Sequence, residues 1–120
     1  MKSGMRQTII GIVGPCAAGK STLIKELTKL GITAKHIAQE HSFVPNMWER
    51  LTSPDILVFL DVSFEESMKR RKQNWSLKDY EEQHNRLRHA RQHASFYLNT
   101  TNLSPEAVLK KVLQYIEQQE

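Results

Sequence analysis

The residues with the clearest chemical potential are Gly14-Pro15-Cys16-Ala17-Ala18-Gly19-Lys20-Ser21. They match the pattern G-x-x-x-x-G-K-[ST] at every specified position, the spacing of a phosphate-binding (Walker A) loop. Gly14 and Gly19 permit a tight turn in which the backbone N–H groups of Cys16, Ala17, Ala18 and Gly19 can approach phosphate oxygens. Lys20 adds a mobile positive charge for the outer phosphates, and the Ser21 hydroxyl is an oxygen ligand for Mg²⁺. Thr22 follows at the start of a helix whose free N–H groups and dipole favour an anion. Lys20 is expected to face solvent at this helix start. A simple glycine turn between strand and helix would need neither Lys20 nor Ser21. Cys16 reads as a small filler at the loop apex, because the chain has no second cysteine to resolve a redox switch.

Phosphoryl transfer depends on positioning and charge neutralisation, so a carboxylate should accompany the metal. Two acids end predicted strands, the edge at which open α/β sheets bind ligands. Glu40 follows a weak strand and Asp61 an excellent one. Both are candidate metal-linked groups. Otherwise Asp61 caps the next helix and Glu40 is an exposed loop acid. His41, next to Glu40, could touch substrate or simply be a surface histidine. Residues 69–93 carry eight Lys/Arg against three Asp/Glu, whereas the other 95 residues carry nine against ten. The whole positive excess therefore lies in one segment, which suits an anionic ligand or a solvated helix face. Of His84, His89 and His93, the last two stand at i, i+4, but no third Cys, His or acid lies at a convincing metal-binding spacing. Trp48 and Trp75 could stack on a base or anchor the core.

These groups need elements to hold them. Residues 8–13 are apolar and β-branched and read as a buried parallel strand. Residues 20–30 carry Leu23, Ile24, Leu27 and Leu30 at helical spacing, with Gly31 as the stop. A weaker strand is expected at 35–39, a helical turn around Met47, Trp48 and Leu51, and a strong strand at 55–62. Ser63 with Glu66 opens a helix expected to reach Asn74. Ser76 opens another, expected to reach Ala94, with Leu77, Tyr80, Leu87 and Ala94 as its apolar stripe. A short strand at 96–98 precedes a helix capped by Ser104 and begun by Pro105, with Val108, Leu109, Val112, Leu113 and Ile116 on one face. The alternation predicts an α/β fold with a small, about four-stranded, mainly parallel sheet.

The chain has 120 residues, 39% hydrophobic and 25% charged, with a net charge of +4. That length suits one domain spanning 1–120, and the composition excludes a disordered tail. The longest apolar run, residues 56–60, is too short to span a membrane. Residues 1–7 lack the apolar region of a secretory signal, and a lone cysteine suits a reducing compartment. A cytoplasmic location is the expectation.

Residues 14–22 together with two later segments resemble the P-loop nucleoside and nucleotide kinases, the group of adenylate, thymidylate and shikimate kinases. Ser53-Pro54-Asp55-Ile56-Leu57-Val58-Phe59-Leu60-Asp61-Val62 is similar to their central strand, followed by a helix ending in arginines. Residues 95–116 are similar to their closing strand, Thr/Asn turn and helix. The resemblance implies a P-loop NTPase-type three-layer fold and transfer of the γ-phosphate of ATP to a small-molecule acceptor, with ATP and Mg²⁺ bound. It implies that Gly14, Cys16 to Thr22 and Thr101 contact the nucleotide, and that Glu40 is the working carboxylate. It also implies that residues 63–94 form a lid-like basic segment whose Arg70, Arg71, Arg86, Arg88 and Arg91 supply charges to the phosphates. Only residues 32–54 fill the space where family members carry much of their acceptor site. A nucleotide-binding module or sensor with little transfer activity is therefore the alternative, and a nucleic-acid binder using the basic helices is a third, weaker one.

Overall fold

The computed structural model describes residues 8–71 and 75–119. Among them, four strands form one sheet: β1 (Ile9–Val13), β2 (Thr33–His36), β3 (Ile56–Asp61) and β4 (Phe96–Asn99). Six α-helices accompany it: α1 (Lys20–Lys29), α2 (Met47–Thr52), α3 (Phe64–Arg71), α4 (Leu77–Arg86), α5 (Arg88–His93) and α6 (Pro105–Gln118). The strand order is β2-β1-β3-β4 and every pairing is parallel. All strand C-termini therefore share one edge, and the chain reverses its direction of winding between β1 and β3.

Period-two alternation sorts the strand side chains onto two faces. Ile10, Ile12, Ile56, Val58 and Leu60 pack against Leu23 and Leu27 of α1 and Val108, Val112 and Ile116 of α6. Val13, Leu57 and Phe59 face the other way, onto Ile37, Trp48 of α2, Leu87 and Ala90. Every residue of β3 is buried, as its uninterrupted apolar run requires. Helices on both faces make this an α/β arrangement compatible with three layers. No helix among the described residues is long and apolar enough to cross a membrane.

The helix ends follow local chemistry. At the end of α1 the Ile32 and Gly31 amides donate back to Leu27 and Thr28, a Schellman closure. Ser76 and Asp79 form a reciprocal capping box on α4, and Ser104 caps α6 through the Ala107 amide. Ser63 accepts from the Glu66 amide, but the Glu66 carboxylate turns to Arg70 instead of closing the box.

Three expectations are corrected. The second strand lies at Thr33–His36, not 35–39, and Gln39–His41 form a 3-10 turn. The buried Gln39 amide donates to the Val44 and Arg86 carbonyls and accepts from the Trp48 amide, which bends the chain away from the sheet. The helix opened by Ser76 breaks at Leu87, so that Leu87 and Ala90 both reach the second core. The expected stripe fails at Leu77, which is 51% exposed, and Gln83 is buried in the same helix. The expected continuation of α3 through Lys72 to Asn74 lies outside the described residues, as do residues 1–7.

Phe59 is fully buried and stacks on Tyr97 at 5.6 Å between ring centroids. Phe59→Ala should cost about 3–5 kcal/mol, the scale for truncating a buried aromatic. Urea unfolding should show a lower midpoint at unchanged slope; a midpoint equal to wild type would contradict this packing.

Candidate functional site

The glycine-bounded loop leaves β1 at the switch point. Gly14 has φ +153°, and a Cβ there would stand 2.0 Å from the Leu60 carbonyl oxygen of β3. Only glycine lets β1 and β3 close on each other at this edge. The loop turns through Ala17 at φ +69° and Gly19 at φ +101°, and Gly19 starts α1, its carbonyl accepting from the Leu23 amide.

Lys20 corrects another expectation: it is 7% exposed, not solvent-facing. Its ammonium donates to the Gly14 and Pro15 carbonyls and, at 3.0 Å, to Glu40 Oε2. Glu40 is only 2% exposed, so it is not a loop acid in water. Its other oxygen, Oε1, is buried with no hydrogen-bond partner among the described residues. Such a carboxylate oxygen is costly to leave bare and is suited to a cation or a donor proton. His41 and His36 each place Nε2 near Glu40 Oε2, at 3.7 and 4.0 Å. Burial is the largest influence on His36 and pushes its pKa down; the Lys20 charge adds to this and Glu40 opposes it.

Asp61 has a different environment. Its Oδ1 accepts from the Val62 amide and the His84 ring at 3.1 Å, and its Oδ2 accepts from the Tyr97 hydroxyl. Burial alone would raise its pKa. The bonds from His84, Tyr97 and Val62 outweigh it and hold the carboxyl below its ordinary value. The His84 ring faces Asp61 with one nitrogen and the Tyr80 carbonyl with the other, so only an imidazolium can donate to both. The bond to Asp61 accordingly raises the His84 pKa, against burial. Burial, then the bond to Asp61, pushes the Tyr97 hydroxyl up to about 12. Asp61 is thus committed to structural partners, while Glu40 keeps a bare oxygen next to Lys20.

A cavity of about 570 Å³ adjoins the loop. Its walls include Ala17, Ala18, Gly19 and Thr22 from the loop and α1, and Arg70 and Arg71 from α3. Thr100, Leu103, Pro105 and Val108 complete it from the segment after β4, and Glu26 and Glu66 add acidic groups. Arg70 ties the parts together. It donates to the Ala17 carbonyl, to the Thr100 hydroxyl and carbonyl, and pairs with Glu66. Arg71 stacks on Trp75 at 4.7 Å.

The remaining predicted residues divide. Ser21 and Thr22 are exposed at the start of α1. Thr101 accepts from the Ser63 amide and is not in the cavity wall. Its neighbour Thr100 is, a distinction the Thr-Thr sequence could not make. Arg88 is exposed and bound to Asn85. Arg91 covers Tyr97. Neither lines the cavity. Arg86 donates to the Glu40 carbonyl, with its Glu82 partner at 3.9 Å. Sequence reasoning missed Gln83, whose amide brackets Cys16 by accepting from its N–H and donating to its sulfur. A glutamine on a polar helix gives no signal of this.

Two outcomes follow from the buried charges. Lys20→Met leaves Glu40 buried without its cation and should cost about 3–5 kcal/mol, the scale for breaking a buried pair. Adding Glu40→Gln should restore much of the loss; thermal melts that rank the single variant as stable as wild type would refute the pairing. Secondly, the raised His84 pKa contributes stability that is complete below its ordinary 6.5 and lost as pH rises through the folded value. The lowered Asp61 pKa contributes stability that is complete above its ordinary 3.8 and lost as pH falls through the folded value. The stability difference between wild type and His84→Gln should therefore be greatest between those two ordinary values and shrink on either side. A difference flat with pH, read by urea unfolding, would exclude the charged pair.

No protein-family model matches this chain, and no curated protein matches it. The geometry of the loop, the cavity and Glu40 therefore carries the functional reading alone.

Proposed function

We propose that this protein is a Mg²⁺-dependent, ATP-binding phosphotransferase of the P-loop kinase type, acting on a small-molecule acceptor. The observation that carries the reading is the juxtaposition of the glycine-bounded loop at the β1–β3 switch point with the adjoining cavity. A triphosphate on the loop amides would leave the nucleoside free to extend between α3 and the turn after β4. Its cavity has room for a base and sugar, with Arg70 and Arg71 at its wall. Lys20 reaches a phosphate by exchanging one of its loop carbonyl partners, a short movement for a four-carbon side chain. The residues present also fit Mg²⁺, a hard cation that takes oxygen ligands. Ser21 offers an exposed hydroxyl at the helix start, and Glu40 a bare carboxylate oxygen. Bound there, the ion would offset phosphate charge. Glu40 would order its water or accept the proton of the attacking hydroxyl, and Asp61 would serve by holding β3, His84 and Tyr97 in place.

A second reading, nucleotide binding without transfer, draws on the segment between β2 and β3. It contains only the 3-10 turn and the six-residue α2. Phe43 and Leu51 stand 85% and 74% exposed there, which leaves little framework for an acceptor.

Calorimetric titration with ATP and Mg²⁺, next to measurement of ADP release over an acceptor panel, tests both. Wild type should bind ATP, and Ser21→Ala should raise the Mg²⁺ concentration needed. Glu40→Gln should lower turnover by ~10²-fold or more, the scale of a general-base contribution, with a far smaller change in ATP affinity. Binding with no turnover on any acceptor would favour the second reading; no ATP binding at all would reject both.

A further inference from the structure

We propose that Cys16, Glu40 and His41 form a binding site for a borderline-soft divalent cation, with Zn²⁺ the best match, at the apex of the loop. The Cys16 sulfur, a Glu40 carboxylate oxygen and a His41 ring nitrogen all lie within 4.8 Å of one another. Two elements deliver them: the loop after β1 carries Cys16, and the 3-10 turn after β2 carries Glu40 and His41. A thiolate, an imidazole and a carboxylate together are a zinc donor set, and the sulfur and nitrogen select against Mg²⁺ and Ca²⁺.

Two of the three ligand separations are close to those a metal would impose. Zinc bond lengths of about 2.3 Å to sulfur and about 2.0–2.1 Å to nitrogen or oxygen, at tetrahedral angles, place ligand atoms roughly 3.4–3.6 Å apart. The Cys16 Sγ to His41 Nε2 separation is 4.0 Å, and His41 Nε2 to Glu40 Oε2 is 3.7 Å. A contraction of a few tenths of an ångström closes these two edges, and the third, between Cys16 and Glu40, lies within 4.8 Å and must shorten by up to about 1.2 Å to reach the same range. His41 can supply the smaller contraction, since its side chain is 60% exposed. The Cys16–Glu40 edge closes by rotation of the Cys16 side chain, whose backbone N–H is held by Gln83, towards the Glu40 carboxylate that Lys20 holds.

A Cys-His-Glu relay for nucleophilic catalysis fits less well. Sulfur and carboxylate both approach the same ring nitrogen, Nε2. A relay needs the carboxylate on the opposite nitrogen. Convergence on one point is what a shared cation requires. Glu40 offers Oε2, which it shares with the Lys20 ammonium, and its Oε1 has no hydrogen-bond partner among the described residues. A water completes four-coordination. The Lys20 ammonium opposes the ion electrostatically, and the two anionic ligands offset both charges. Binding displaces the Cys16 thiol proton to solvent.

Co²⁺, a spectroscopic substitute for Zn²⁺, tests the site on the full chain without nucleotide, so the outcome does not depend on the phosphotransferase reading. Under a non-thiol reductant, Co²⁺ should give a thiolate-to-metal charge-transfer band and the intense visible bands of a four-coordinate ion, and Zn²⁺ should bleach both. Cys16→Ser should abolish the charge-transfer band. His41→Ala, at an exposed position that leaves the fold intact, should weaken Co²⁺ binding by more than about 10-fold, since even outer-shell losses act on that scale. His93→Ala, exposed on α5, should change neither. Absence of the charge-transfer band in wild type, or its persistence at equal affinity in His41→Ala, would overturn the proposal.

Discussion

The close approach of β1 and β3 governs this molecule. Both strands are buried and parallel, and the Gly14 backbone lies against the Leu60 carbonyl where they end. That contact leaves the chain one way to leave β1, over the sheet edge and back into α1. The loop therefore lies at the edge where the chain reverses its winding. The same contact brings the end of β3 next to the loop. Thr100 then bonds to the carbonyls of both Ala18 and Asp61. The cavity is the space left between these tied segments and α6.

Burial of charge is the second organising feature. Lys20, Glu40 and Asp61 are all withdrawn from water at the sheet edge. Each must find partners or neutralise, because the desolvation of an isolated charge is prohibitive. Asp61 is saturated by three donors, which lower its pKa and fasten α4 to β3 through His84. Glu40 is held from one side only. The two carboxylates, equivalent in sequence as acids at strand ends, are thus separated in chemistry by their neighbours: one belongs to the framework, and the other retains capacity for a cation or proton. The bare oxygen of Glu40 is a cost to folding that suits a ligand site, where incomplete satisfaction is typical.

Much of this was legible in the residues. The alternating apolar runs at β1 and β3, the i, i+4 spacing in α1 and α6, and the Ser76 and Ser104 caps report on contacts within a few residues. Such patterns carry their own physical cause. The loop motif is local in the same sense, since its glycines answer to backbone geometry at their own positions. Sequence by itself therefore determined the α/β class, the loop, its helix and Glu40 as a candidate.

Only the tertiary structure decided which charges are buried and what each one meets. Gln39 shortens β2 by bonding to Val44, Arg86 and Trp48, and Arg86 lies 47 residues away in the chain. Lys20 is buried against Glu40, which arrives from the 3-10 turn after β2. Arg70 reaches Thr100, whereas Arg91 covers Tyr97, although both belong to one basic segment. The physical reason is common to all of these. A charged or amide side chain takes its environment from whichever segment the topology folds over it, and that partner leaves no periodicity around the residue itself.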